Sequence, residues 1–380
     1  MCRPGGDSRA PDRGPGGPEA VRRARTRALG AALGALILLG MSLAVVDVST
    51  DASASAFSRN HSARRSARRG ARRPFPRQRS VDPAAASPEA GQEDGAVPHD
   101  DSSDAPSASS ALLPEAFGSR LQISPDIELE RNLAGLVLNP RLRVGAFVMD
   151  LGSGRYASLR GDASFPAASM IKLPIAVDLL QRVDRGEVSL DEKLVLGDED
   201  RGSGSGSLQY LRPGLLVSVK RTAELMIRRS DNTATNMLIR RLGGIETLNG
   251  SFGGLGLART SLRNPLPDLE GTNKTSPCDL ASLLSRISSG SMLSPASREL
   301  LFSWMRRSHN KSLLPAGLGR GAVCFNKTGD IPGALGDAGL VMLPDGRRYI
   351  AAIQVERPRN SHRANELIRR LSRAAYMHLS

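Results

Sequence analysis

Strand-like sequence in this chain comes in two groups far apart, and the stretch between them is patterned for helices. That separation constrains the fold more than any other feature. Arg143 to Leu151 (RVGAFVMDL) reads as a strand, Gly152-Ser153-Gly154 as a turn, and Arg155 to Leu159 as the returning strand of a hairpin. The second group lies near the end: Val323 to Lys327, Ala338 to Leu343 and Arg348 to Glu356, with Pro344-Asp345-Gly346 joining the last two. Between and around them, helices are predicted from Ser124-Pro125-Asp126 to about Leu138, from Ser169 to Gly186, over 218–229, from Thr233 to Leu242, over 277–289 and from Ser361 to about His378. Gly243-Gly244 reads as a helix stop, and 251–276 as turns. The predicted fold class is α+β in three layers, an antiparallel β-sheet flanked by helices with a mostly helical insertion.

The first third of the chain has a different organisation. Residues 1–27 carry seven arginines among Gly and Pro, and 28–46 is a run of 19 residues without a charge. At about 1.5 Å per residue such a run spans a bilayer core, and arginines before it place that end in the cytoplasm and the rest of the chain outside. The run is expected to be a transmembrane anchor; a cleaved signal peptide is the alternative, because Ala52-Ser53-Ala54 and Ala54-Ser55-Ala56 offer small-residue cleavage sites. Residues 57–81 hold nine arginines and no acid, and 82–115 hold eight acids and no Lys or Arg. Neither block has the apolar periodicity of a core, so 47–115 is expected to be a disordered charged tether ahead of a catalytic domain at 116–380. The arginine block suits anionic lipid headgroups or acidic wall polymer, but a solvated spacer is the simpler reading.

Net charge is +14. It is spread among acids along the helices rather than gathered on one stripe, and aromatic residues are only 3%, which argues against nucleic-acid binding. Cys2, Cys278 and Cys324 form no metal-ligand or redox spacing. Cys278 and Cys324 are either two unrelated buried thiols or, in an exported domain, a disulfide. No metal or cofactor is expected, and the chain is expected to be a monomer.

Within the helical middle, Ser169-Met170-Ile171-Lys172 places a hydroxyl and an amine three residues apart, on one helical face and near a helix N-terminus. Unpaired backbone N–H groups there favour developing negative charge. A serine with a base at hand is a nucleophile. Downstream, Ser230-Asp231-Asn232 interrupts two helices and Lys327-Thr328-Gly329 ends a strand. Taken one at a time these are a capping serine, a turn asparagine and surface lysines.

Ser-x-x-Lys, Ser-Asp-Asn and Lys-Thr-Gly, in that order, resemble the three signatures of class A β-lactamases and penicillin-binding D,D-peptidases. The flanks FPAASMIKLPIA (165–176), GSLQYLRPG (206–214), LMIRRSDNTATNMLIRRLGG (225–244) and DAGLVMLPDGRRYIAAI (337–353) resemble that superfamily too, so the likeness covers roughly 120–380. The resemblance implies a serine hydrolase that opens β-lactam amides through an acyl-Ser169 intermediate. Lys172 is then the base and Ser230 the proton shuttle to the leaving nitrogen. Asn232 holds a substrate amide carbonyl, and Lys327 and Thr328 take the substrate carboxylate. Gly329 lets substrate backbone lie close, and the N–H groups of Ser169 and Asp330 form the oxyanion hole. Class A enzymes free the acyl-enzyme with a loop glutamate. Here the loop NPLPDLEGTN (264–273) is several residues shorter; its one glutamate, Glu270, is the candidate base and Asp268 the alternative. The rival readings are a D,D-carboxypeptidase acting on peptidoglycan stem peptides and a non-catalytic peptidoglycan-binding module.

Overall fold

The computed structural model describes residues 122–380. The chain enters through a two-residue strand β1 (Ser124–Pro125) and helix α1 (Ile127–Ala134), then makes the hairpin β2 (Arg143–Asp150) and β3 (Arg155–Leu159). Strand β4 (Phe165–Pro166) leads into a 3-10 turn, Ala168–Ile171, and helix α2 (Lys172–Asp184). A small hairpin, β5 (Lys193–Val195) with β6 (Leu216–Ser218), precedes helices α3 (Val219–Arg228), α4 (Asn232–Arg241) and α5 (Gly244–Gly254). After β7 (Lys274–Thr275) come α6 (Pro277–Ser289), α7 (Pro295–Arg306) and α8 (Leu314–Gly317). The chain closes with β8 (Val323–Ile331), β9 (Ala334–Met342), β10 (Arg348–Glu356) and α9 (Arg363–Leu379).

The two ends share one sheet, in the order β1-β3-β2-β10-β9-β8. Every pairing is antiparallel except β1 on β3. The seam between the ends runs from Arg143 opposite Glu356 to Asp150 opposite Tyr349. Because strand side chains alternate, the sheet has two apolar faces. Val144, Ala146 and Val148 pack with α1, α8 and α9, while Phe147, Met149, Ile350 and Ala352 pack with the helices of the middle. This is the expected α+β layering, and it leaves β8 as an open edge beside the helical part.

Several local expectations shift. Ser124–Pro125 is strand, and the cap of α1 is Asp126, whose carboxylate accepts from the Leu129 N–H at 3.0 Å. That helix ends at Ala134 rather than Leu138. Gly243-Gly244 stops α4 but a further helix, α5, begins at once, and it takes residues 251–254 from the predicted turn region. Cys278 and Cys324 are both buried and unpaired, and burial pushes both thiols far up. Among the described residues no helix is long and apolar enough to cross a membrane. The run at 28–46 and the tether at 47–115 lie outside the described residues.

Candidate active site

The turn that carries Ser169 is held from both sides. The Ala167 N–H donates to the Asn273 carbonyl at 2.7 Å, and β4 pairs with β7 just before it. Ala168 sits at φ +46, a left-handed conformation that a residue with a side chain adopts only under outside constraint. On the other side lies β8. A Cβ at Gly329 would come within 3.0 Å of the Ala167 carbonyl and of Ala168 Cβ, so its absence seats the strand against the nucleophile turn. That differs from the expected reason for this glycine, which was room for substrate.

Lys172 is fully buried one turn below Ser169. In a 3-10 turn residues three apart eclipse, which is why the pair shares a face. Its amine is nevertheless spent on other partners: the Ser230 carbonyl at 2.6 Å, Ser230 Oγ at 3.2 Å and Asn232 Oδ1 at 2.7 Å. Lys327 reaches Ser230 Oγ from the opposite side at 3.1 Å and the Thr328 carbonyl at 2.7 Å. One hydroxyl therefore lies between two lysines. Ser230 itself has φ +55, set by the sharp turn between α3 and α4.

Burial, with the Lys327 cation second, holds Lys172 well below the ordinary lysine range. A neutral Lys172 donates two hydrogen bonds, to the Ser230 carbonyl and Asn232, and keeps a lone pair that can take a hydroxyl proton. Burial also lowers Lys327 to about 7, opposed by the Asp337 carboxylate. Asn232 Nδ2 donates to the Ser203 carbonyl at 2.7 Å, so it ties the Gly-Ser loop to the site and keeps its second amide hydrogen for a substrate carbonyl.

Ser169, Ser230, Lys327, Thr328 and Asp330 line one cleft of about 250 Å³, with Arg228, Arg229 and His309 on its wall. Asp330 is on the open edge. Ile331 pairs with Ala334 across a two-residue turn, and such a closing pair exchanges both its hydrogen bonds. One residue earlier the peptide N–H therefore points away from β9, toward the cleft.

Three further residues matter that the motif reading left aside. Asp231 is buried; its carboxylate caps α4 at Ala234 N (2.9 Å) and receives Ser207 N (2.7 Å) and Leu208 N (3.0 Å). Gly206 touches it, at φ +103 and with no room for a Cβ beside that carboxylate. A capping Asp between Ser230 and Asn232 was the visible signal. The other two are Leu266 and Arg357, which no local pattern marks.

The structure does not bring Glu270 to the cleft. Glu270 is exposed and lines a separate recess with Pro166, Leu269, Ile331 and Arg357. Asp268 is buried but closes its own loop: one oxygen accepts from Thr272 N–H and Oγ1, the other from Asn273 N–H at 2.7 Å. The loop residue tied to the helix that carries Asn232 is Leu266, which is buried. Asn236 grips it through both backbone groups, at 2.9 and 2.7 Å, and Asn236 is four residues after Asn232, on the same face of α4. An apolar side chain there has no means to activate water. Among the described residues no group of His, Cys, Asp and Glu is placed to hold a metal ion.

A family model described as the β-lactamase enzyme family matches residues 128–379. The chain belongs to that family. Its relatives include a β-lactamase of Streptomyces albus G, 32% identical over 190 residues, a match covering 47% of this chain and 60% of that one. A β-lactamase of Streptomyces fradiae is 30% identical over 240 residues, covering 60% and 78%. Among solved structures this β-lactamase-family chain is similar to PBP-A, with 46% identity, a TM-score of 0.67, and 68% of this chain and 97% of that one covered. A second PBP-A structure, of a single-substitution mutant, is an acyl-enzyme complex with penicillin G. A β-lactamase from Sphaerobacter thermophilus DSM 20745 follows at 28% identity and a TM-score of 0.60, with 66% of this chain and 96% of that one covered.

Proposed function

We propose that this protein is an active-site-serine hydrolase of the β-lactamase type that opens β-lactam amides through an acyl-Ser169 intermediate. Ser169 Oγ attacks the ring carbonyl and its proton passes to Lys172. The oxyanion is met by the N–H groups of Ser169 and Asp330. The ring C–N bond then breaks, and the proton returns by way of Lys172 and Ser230 to the leaving nitrogen. Lys327 as a cation and Thr328 take the substrate carboxylate, and Asn232 takes the acyl amide carbonyl. The observation that carries this reading is Ser230 Oγ at 3.2 Å from Lys172 and 3.1 Å from Lys327 in the cleft that holds Ser169.

A second reading, a D,D-peptidase of peptidoglycan stem peptides, is favoured by the placement of Glu270 in a recess outside the cleft and by the hydrogen bonds that occupy Asp268 within its own loop. Likeness to PBP-A, whose mutant forms a penicillin acyl-enzyme, supports the same reading. The two differ in the fate of the acyl group. The test is to incubate the protein with a chromogenic cephalosporin and a fluorescent penicillin. Steady turnover lost in Ser169→Ala supports the first reading, and stoichiometric labelling of Ser169 without turnover supports the second. Neither signal would overturn both and leave a binding module.

We infer further that the catalytic part works outside the cytoplasmic membrane, held by 28–46 through the charged tether at 47–115. N-terminal sequencing of the exported protein tests the tether: a start near Ser55 or Phe57 would show cleavage instead.

A further inference from the structure

Arg357 follows β10 and takes no part in the acyl transfer described above, yet its placement is costly. Its side chain is 4% exposed, and its Nε is buried with no hydrogen-bond partner. A guanidinium buried with an unmet donor is harder to keep than an apolar side chain of similar volume. Its remaining groups converge on one feature. The guanidinium donates to the Asp330 carboxylate in a short ion pair and to the Ile331 carbonyl at 3.1 Å, and the Arg357 N–H donates to the Gly333 carbonyl at 2.8 Å. A longer contact, at 3.5 Å, joins it to Asn365 Oδ1. The hairpin between β8 and β9 is thus gripped from behind.

That hairpin holds the oxyanion donor. Asp330 lies on the open edge of the sheet: its N–H faces away from β9, on the side with no neighbouring strand, and only the Gly329 carbonyl end of that peptide faces β9, opposite Gly336. Its carboxylate is 56% exposed and lines the catalytic cleft. A negative charge beside a forming oxyanion opposes it, unless the charge is drawn aside and neutralised. Arg357 can do both.

We propose that Arg357 is a positioning residue for acyl transfer: by binding the Asp330 carboxylate and the Ile331 carbonyl it fixes the Asp330 N–H toward the oxyanion and cancels the negative charge beside it. This rests on acylation of Ser169. Because the oxyanion exists only after attack, the effect belongs to the acylation step and not to initial binding.

The test is stopped-flow acylation of the full chain by a fluorescent penicillin, separating the dissociation constant of the first complex from the acylation rate constant. Arg357→Gln is expected to slow acylation about tenfold, part of what loss of a whole oxyanion donor costs, with the dissociation constant changed less than about twofold. Arg357→Lys, which keeps the charge but not the two-acceptor grip, is expected to recover part of the rate. In the Asp330→Ala background Arg357→Gln should cost less than about threefold, since coupled residues are non-additive. If Arg357→Gln does not fold, Arg357→Lys replaces it in the same cycle. An unchanged acylation rate, an equal loss in both backgrounds, or a loss confined to binding would overturn the proposal. A wild-type protein that is never acylated would sink the functional reading and this one with it.

Discussion

Lys327 has to be a cation to take a substrate carboxylate, and burial works against that by lowering it to about 7. The group that opposes the fall is Asp337, which is fully buried on β9 opposite Thr328. Burial raises Asp337 itself to about 7. Asn326 Nδ2 donates to both its oxygens at 3.0 Å and Leu314 N to one at 3.0 Å, so the carboxylate is satisfied without touching substrate. The sign follows directly. As pH rises past about 7 the free enzyme loses the Lys327 proton, and acylation by an anionic penicillin is expected to fall. Asp337→Asn removes the carboxylate that holds Lys327 up, so the falling limb should move to lower pH. Lys327→Arg, charged at every accessible pH, should flatten it. Acylation followed from about pH 6 to about pH 9 checks all three. A limb that stays in place in Asp337→Asn would detach Asp337 from the site.

The loop at 264–273 shows what local sequence reading reaches and where it stops. Periodicity located β2, β3, β10 and α6 to within a residue or so, because alternation and helical spacing are properties of neighbours along the chain. Helix α5 was invisible to it. GIETLNGSFGG has four glycines, poor helix formers, and becomes helical because Leu248 and Phe252 are buried against the core. The triad of motifs placed Ser169, Lys172, Ser230 and Lys327 around one cleft, since each motif fixes its own turn or strand. Glu270 was the candidate as the loop's one glutamate, whereas the loop is anchored by Asn236, a residue on another element, which takes hold of Leu266. Arg357 escaped for the same reason: its partners are 26 and 27 residues away. If Leu266 marks the place where a base would act, Leu266→Glu should supply one. The expected outcome is deacylation faster by about a hundredfold, read as release of the penicilloyl label, with the acylation rate little changed. Slow release in that variant would mean that water has no path to the ester at this point.

At the scale of the molecule, the sheet is a partition. One apolar layer lies between it and α1, α8 and α9; the other lies between it and the helical part that carries Lys172 and Asn232, with Ser230 in the turn between α3 and α4. The cleft opens on the second side only, where β8 ends the sheet. Stability and activity should therefore respond differently to equal damage on the two sides. Ile368 of α9 and Leu173 of α2 are both fully buried, one in each layer. Truncation of either to Ala is expected to cost about 2–5 kcal/mol from lost burial and the cavity left behind. In a domain of this size that lowers Tm by roughly 5–15 °C. Below the transition, Ile368→Ala should acylate at the wild-type rate, because the sheet stands between its cavity and Ser169. Leu173→Ala opens its cavity beside Lys172 and should slow acylation severalfold as well. Thermal melts paired with acylation rates at about 25 °C decide it: equal slowing in the two variants would show that the sheet does not insulate the cleft from its far side.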